Sequence, residues 1–157
     1  MRVLSVTAQK PCSTGSGVYL TEVVRSLAKM GVSQAVVAGV TREDRVDMPE
    51  GVTVYPVYFS SEKLPYPVVG MSDEMPYTST RYRDMTEEMA GQFKAAFLEV
   101  LDEAIEKENP DIHIEYLGLS SGDALSKYQT AIAAGETPDV GGLNNSWAAT
   151  VIGQNHC

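Results

Sequence analysis

The residues that could do chemistry in this chain are few. Cys12 opens the run CSTGSG (12–17), in which small residues lead into an amphipathic stretch. A run of that kind sets backbone N–H groups at a helix N-terminus, where partial positive charge favours phosphate or sulfate. Gly15, Ser16 and Gly17 are the candidate contacts for a weakly bound anion, with Val18 completing the turn and Lys10 the only basic residue near in sequence. The run lacks both the lysine of a P-loop and the spacing of a dinucleotide fingerprint, so a tight turn that only caps the helix explains the same residues. A thiol at a helix N-terminus can be made reactive. Turnover would also need a base and an oxyanion site, which no Ser or Cys motif here supplies, so no catalytic residue is assigned.

Four other groups qualify. Arg81 and Arg83, with Tyr77 and Tyr82, lie in a long connection where guanidinium forks could grip phosphate and aromatic faces could meet a sugar; aromatic packing that pins the loop is the plainer account. Trp147 could stack on a ligand or fill the core. His113 and Glu115 alternate onto one face of a strand-like run, where a hydrogen bond between them is conceivable. Cys157 ends the sequence beside His156. If the strands preceding Cys12 and Cys157 are parallel, both thiols share one sheet edge, which leaves a disulfide, a metal site with His156, or two unrelated thiols as readings. The two cysteines make neither a disulfide framework nor a zinc motif, and no metal or cofactor is assigned.

The elements that must position these residues are legible from periodicity. Residues 2–8 form a near-continuous apolar run, as expected of a parallel strand covered on both faces. Leu20, Val23, Val24, Leu27 and Ala28 mark one face of a helix that Gly31 can stop in a left-handed cap. Residues 33–40 and 52–59 read as strands, the second at an edge because Pro56 cannot donate to a ladder. Residues 63–85 carry Pro65, Pro67 and Pro76 with no sustained period, a long connection of the kind that is often functional. Thr86 can cap a helix whose Met89, Phe93, Phe97, Val100, Leu101 and Ala104 face a core as far as about Lys107. Asn109-Pro110-Asp111 ends it, and IHIEYLGL (112–119) is strand-like. Ser121 or Asp123 can cap a further helix bearing Leu125, Tyr128 and Ile132, with Gly135 at its end; TPDVGGL (137–143) and TVIG (150–153) read as short strands. Alternation of strands and helices predicts one α/β domain over residues 1–157, a three-layer sandwich on a mainly parallel, Rossmann-like sheet.

At 157 residues, with 43% hydrophobic and 21% charged residues, the composition is that of a soluble globular protein with one sizeable core. A formal charge of −9 disfavours nucleic acid and anionic lipid as partners, and no run is apolar enough to span a membrane. The opening MRVLSVTA lacks the features of a signal peptide, so a cytoplasmic location is expected. An oligomer is compatible with the sequence.

Two resemblances overlie this reading. On MRVLSVTAQKP, STGSGVYLTEVVRSLAKMG, QAVVAGVTRED and PYPVVGMSDEMPYTSTRYRDMT, residues 1 to about 108 resemble the N-terminal, acceptor-side domain of family 4 glycosyltransferases of the two-domain, double-Rossmann type. That resemblance implies that the loop after the first strand lies near donor phosphates and acceptor, while the nucleotide-sugar is held mainly by a C-terminal domain that this sequence does not contain. It also implies a His-rich segment after PDI, where this chain reads Ile114-Glu115-Tyr116-Leu117. On EKENPDIHIEYLGLSSGDALSKYQTAIAAGETPDVGGLNNSW, residues from about 106 to 157 resemble the N-terminal lobe of an extracellular sugar-binding protein of the ABC-transporter type. Both families can contribute a helix ending in an NPDI-type turn and strand. The expectation is an engineered or recombined chimera of two α/β fragments joined near residues 106–112, without catalytic activity; the alternative is a glycosyltransferase acceptor-side domain that retains weak sugar-nucleotide or anion binding.

Overall fold

A computed structural model describes residues 2–107, 109, 111–112, 122–136 and 147, and the chain falls into two compact units, Met1–Ile114 and Glu115–Cys157. In the first unit, β1 (Arg2–Thr7), β2 (Ser33–Val40) and β3 (Val52–Tyr58) form a parallel sheet in the order β1-β2-β3. The register sets Val6 beside Val37 and Val37 beside Tyr55. Side chains alternate across a strand, so β2 serves both faces. Val36, Ala38 and Val40 pack with Val24 of α1 (Gly15–Lys29) on one side. Val37, Tyr55, Val57 and Phe59 pack with Ala96, Phe97 and Ala104 of α2 (Glu87–Glu106) on the other. Helix, parallel sheet and helix give the expected α/β three-layer, Rossmann-like arrangement.

The expectation that the first strand is covered on both faces holds only in part: β1 is less buried than β2. Val6 is 50% exposed. Leu4 and Ala8, on the same face of β1, pack against the α2-side core, so the exposure is local to Val6. Gln34 ties the start of β2 to α1 by donating from Nε2 to the Val24 carbonyl at 3.0 Å.

The local signals behave as their chemistry dictates. Thr14 caps α1 by accepting the Gly17 N–H. At its other end the Val32 N–H reaches the Leu27 carbonyl and the Gly31 N–H reaches that of Ala28, with Gly31 at φ 72°, a Schellman motif that satisfies two end carbonyls. Phe59 donates to the Val40 carbonyl at 2.8 Å, which points alternate residues of β3 at β2 and leaves Pro56 facing the open edge among the described strands, where its missing donor costs nothing. Thr86 caps α2 by accepting from Met89 N at 3.2 Å, with Glu87 and Glu88 favourably placed in its first turn.

Residues 63–85 are not an unstructured connection. They contain β4 (Val69–Gly70) and β5 (Thr80–Arg81), paired in parallel, and a 3₁₀ turn at Tyr82–Asp84. Leu64, Tyr66, Val68 and Val69 are buried in the α2-side core. Prolines at 65, 67 and 76 remove donors and break any period, so a segment that supplies core side chains carries no periodic signal. Tyr66 OH anchors it by donating to the Met89 carbonyl at 2.7 Å, and Thr80 Oγ1 donates to the Pro67 carbonyl at 2.8 Å.

In the second unit, α3 (Ala124–Ala134) buries Ala124 and half-buries Leu125, Tyr128 and Ile132. Asp123 stands at its N-cap without a side-chain capping bond, and Gly135 stops it at φ 73°. The strands expected at 112–119, 137–143 and 150–153 lie outside the described residues.

Candidate functional site

In a parallel sheet the C-terminal ends of the strands share one edge, and binding groups collect in the loops there. The loop from β1 to α1 and the turn after β2 meet at this edge. Lys10 Nζ donates to Asp44 Oδ1 at 2.7 Å, while the other Asp44 oxygen accepts the Thr41 N–H at 2.7 Å and the Thr41 hydroxyl at 2.9 Å. The ammonium also lies 5.2 Å from the centre of the Tyr77 ring, whose hydroxyl donates to the Val69 carbonyl at 3.0 Å. Three sequence-distant segments are thereby locked around one cation.

The loop is equally well tied to the helix it precedes. Thr14 Oγ1 and Ser16 Oγ both donate to Gln9 Oε1 at 3.1 Å, with Gln9 almost fully buried. Ser13 Oγ donates to the Lys10 carbonyl at 2.6 Å. Thr21 Oγ1 gives its proton to the Gly17 carbonyl at 2.8 Å, so the Cys12 thiol, 3.1 Å from that oxygen, is the donor between them. Cys12 holds φ 61°, uncommon for a residue with a side chain. Gly17 is required here by space, because a Cβ on it would stand 2.7 Å from the Lys10 carbonyl oxygen.

This geometry sorts the expected anion contacts. The Gly17 N–H is bonded to Thr14 Oγ1 and the Val18 N–H to the Thr14 carbonyl, so the amides that α1 can still offer a ligand are those of Gly15 and Ser16. The expected four-amide cradle over Gly15–Val18 is therefore halved, because the capping residue that starts the helix competes with a ligand for the same donors. Lys10, the expected basic partner, is bound by Asp44.

Arg81 stands apart from this loop, with no described contact to Gly15, Ser16 or Gly17. Its guanidinium donates to Asp84 and, at 3.3 Å, to Asp73, which also accepts from Arg83. The bond from Arg83 holds the Asp73 carboxyl below the usual range, and the bond to Asp84 raises Arg81 above its own. Both expected phosphate grips are occupied by the protein's own carboxylates. Tyr82 packs edge-on to Phe93 with ring centres 6.5 Å apart. Trp147 is half-buried in the second unit. The Cys12 thiol is free and exposed; Cys157, His156, His113 and Glu115 lie outside the described residues, and so does the pairing of Cys12 with Cys157.

Among the described residues no group of three or more metal-ligating side chains comes together, and no helix is long and apolar enough to cross a membrane. Sequence reasoning missed Asp44 and Gln9, the two residues that hold the loop. Both lie in stretches quoted for the glycosyltransferase resemblance, but neither residue type at that place suggests a role, and Asp44 is 34 positions from its lysine.

Burial pushes the Asp44 carboxyl up, but the bonds from Lys10 and Thr41 outweigh it and hold the group below its ordinary value. A carboxyl depressed in the folded state adds stability above its unfolded pKa, about 3.9, and loses it as pH falls through the folded value. Asp44→Asn is therefore expected to lower the urea midpoint most at neutral pH. The gap from the parent protein should close below about pH 3.9; a gap independent of pH would remove the Lys10–Asp44 pair as its source.

Over residues 90–155 the chain is similar to the family of bacterial extracellular solute-binding proteins. The match takes in less than half of the chain and begins inside α2, upstream of the residue near 106 where the resemblance was expected to start. No curated protein matches the sequence.

Proposed function

We propose that this protein is an engineered or recombined α/β chimera, built from a fragment resembling a glycosyltransferase acceptor-side domain and a fragment similar to an extracellular solute-binding protein, and that it has no catalytic activity of its own. The observation that carries this reading is the mutual satisfaction of the polar groups around the first loop. Lys10 is held by Asp44, Cys12 by Thr21, Thr14 and Ser16 by Gln9, and the Gly17 amide by Thr14. A working nucleophile or phosphate clamp needs donors aimed at substrate, and these are aimed at one another. The similarity to solute-binding proteins reaches back into α2, as expected if the joined fragments share a helix followed by an NPDI-type turn.

A second reading, weak anion or sugar-nucleotide binding at the loop after β1, is favoured by the two remaining N-terminal amides of α1. One experiment separates the two. The purified chain is incubated with a nucleotide-sugar and a range of acceptors, and the same nucleotide-sugar is titrated while amide shifts are followed. The expected result is no turnover, with at most small shifts at Gly15 and Ser16. Glycosyl transfer or donor hydrolysis above the blank would overturn the first reading; shifts confined to Trp147 and Asn144 would move the ligand site to the solute-binding-like part.

A further inference from the structure

A cavity of about 330 Å³ opens beside β3, the edge strand among the described strands. Its walls are Pro56 and Tyr58 of β3, Lys63 from the turn that follows, Ala96 and Val100 of α2, and Arg42 from the turn after β2. Its polar groups are unequally engaged. Lys63 Nζ lies 2.5 Å from both carboxylate oxygens of Glu99, and Ser61 Oγ donates to the Tyr58 carbonyl at 2.6 Å. Arg42 is different. Its guanidinium carbon rests 4.8 Å from the centre of the Tyr58 ring, and it makes no ion pair with a described carboxylate.

We propose that this cavity is a binding site for a small monocarboxylate with a flat apolar body, whose carboxylate is taken by Arg42 and whose body lies against Pro56, Ala96 and Val100. The size falls at the lower end of ordinary small-molecule sites, which are mostly apolar with a few convergent polar groups. A guanidinium fixed over an aromatic face keeps its N–H fork free, and that fork matches a carboxylate in two parallel bonds. The charge balance selects a monoanion. Lys63 is paired with Glu99, so Arg42 is the one lining cation without a described ion pair and matches a single carboxylate, while the second charge of a dianion such as phosphate would find no cation beyond it and Glu62 nearby. Pro56 helps define the occupant too: without its N–H the β3 edge cannot pair continuously with an added strand, which disfavours a peptide lying along it. The proposal is independent of the function proposed above, since it uses none of the residues of the first loop.

The test uses phenylacetate and the full chain. Titration at millimolar concentration is expected to shift the amides of Val57, Tyr58 and Ser61 and the side-chain Nε–H of Arg42. Phenylacetamide, which has the same shape without the charge, should bind about tenfold more weakly or worse, the discrimination a charge-assisted fork provides. Arg42→Gln should cause a similar loss with an unchanged circular dichroism spectrum, and Arg42→Lys an intermediate one, because an ammonium keeps the charge and loses the fork. Absence of shifts at these residues, equal binding of phenylacetamide, tighter binding of inorganic phosphate, or full affinity in a folded Arg42→Gln protein would each overturn the assignment.

Discussion

Phe59→Ala is expected to destabilise the first unit by about 3–5 kcal/mol, the range for truncating a buried aromatic ring. Phe59 follows β3 directly and is 1% exposed. Its ring centre lies 5.9 Å from that of Tyr66 at an edge-on angle of 69°, 6.2 Å from that of Phe93 and 6.4 Å from that of Phe97. It is thus the point at which sheet, residues 60–86 and α2 meet. Removing it leaves a cavity bordered by three rigid rings, which can collapse only if α2 shifts along the sheet. Urea unfolding followed by circular dichroism measures the effect as a lower midpoint. A drop below about 1 kcal/mol would mean that α2 can close over the gap, and that the aromatic cluster does not fix its position.

Gly39→Ala is expected to be nearly as costly, at about 3 kcal/mol, although it adds only one methyl group. Gly39 lies in β2, the central strand among the described strands, and its conformation makes no demand for glycine; space does. A Cβ at this position would stand 2.3 Å from the Ala8 carbonyl oxygen and 2.9 Å from Cε2 of Phe59. The oxygen belongs to backbone at the end of β1 and cannot swing away, so β1 and β2 would have to separate where the first loop begins. The loss should show as a lower unfolding midpoint, together with shifted amides in residues 8–18. Gly91→Ala is the control. It lies in α2 with nothing within 4 Å of a built Cβ, and replacing glycine inside a helix should stabilise by about 1 kcal/mol. If both substitutions stabilise, the close approach of Ala8 to Gly39 is wrong.

The two glycines show how far the sequence could be read. Gly31 was legible as a helix stop because its role is local: it follows an amphipathic stretch, and the bonds it completes reach three and five residues back. Gly39 is legible only as part of a strand, because what forbids a side chain there is the end of another strand. The same division runs through the candidate site. Thr86 was legible as a cap, whereas the consequence of Thr14 as a cap, that it removes the Gly17 amide from any ligand, required the geometry of the helix start. Arg81 was read as a free guanidinium because its partners Asp73 and Asp84 look in sequence like ordinary surface acids.

By itself, then, the sequence determined the α/β class, the strands β1 to β3 and the helices α1 and α2, the capped start and glycine stop of each helix that carries one, and the edge position of β3. Those features rest on interactions that close within a turn of helix or on the twofold alternation of a strand. The tertiary structure alone decided which polar groups are free. Lys10 and Asp44 are 34 positions apart and Lys63 and Glu99 are 36 apart, so each pair forms only when the fold brings its elements together. That pairing closes the first loop and leaves Arg42, beside the cavity at β3, without a described carboxylate partner. Charge in a sequence is a property of a residue, while availability is a property of its neighbours, and the neighbours here are chosen by packing.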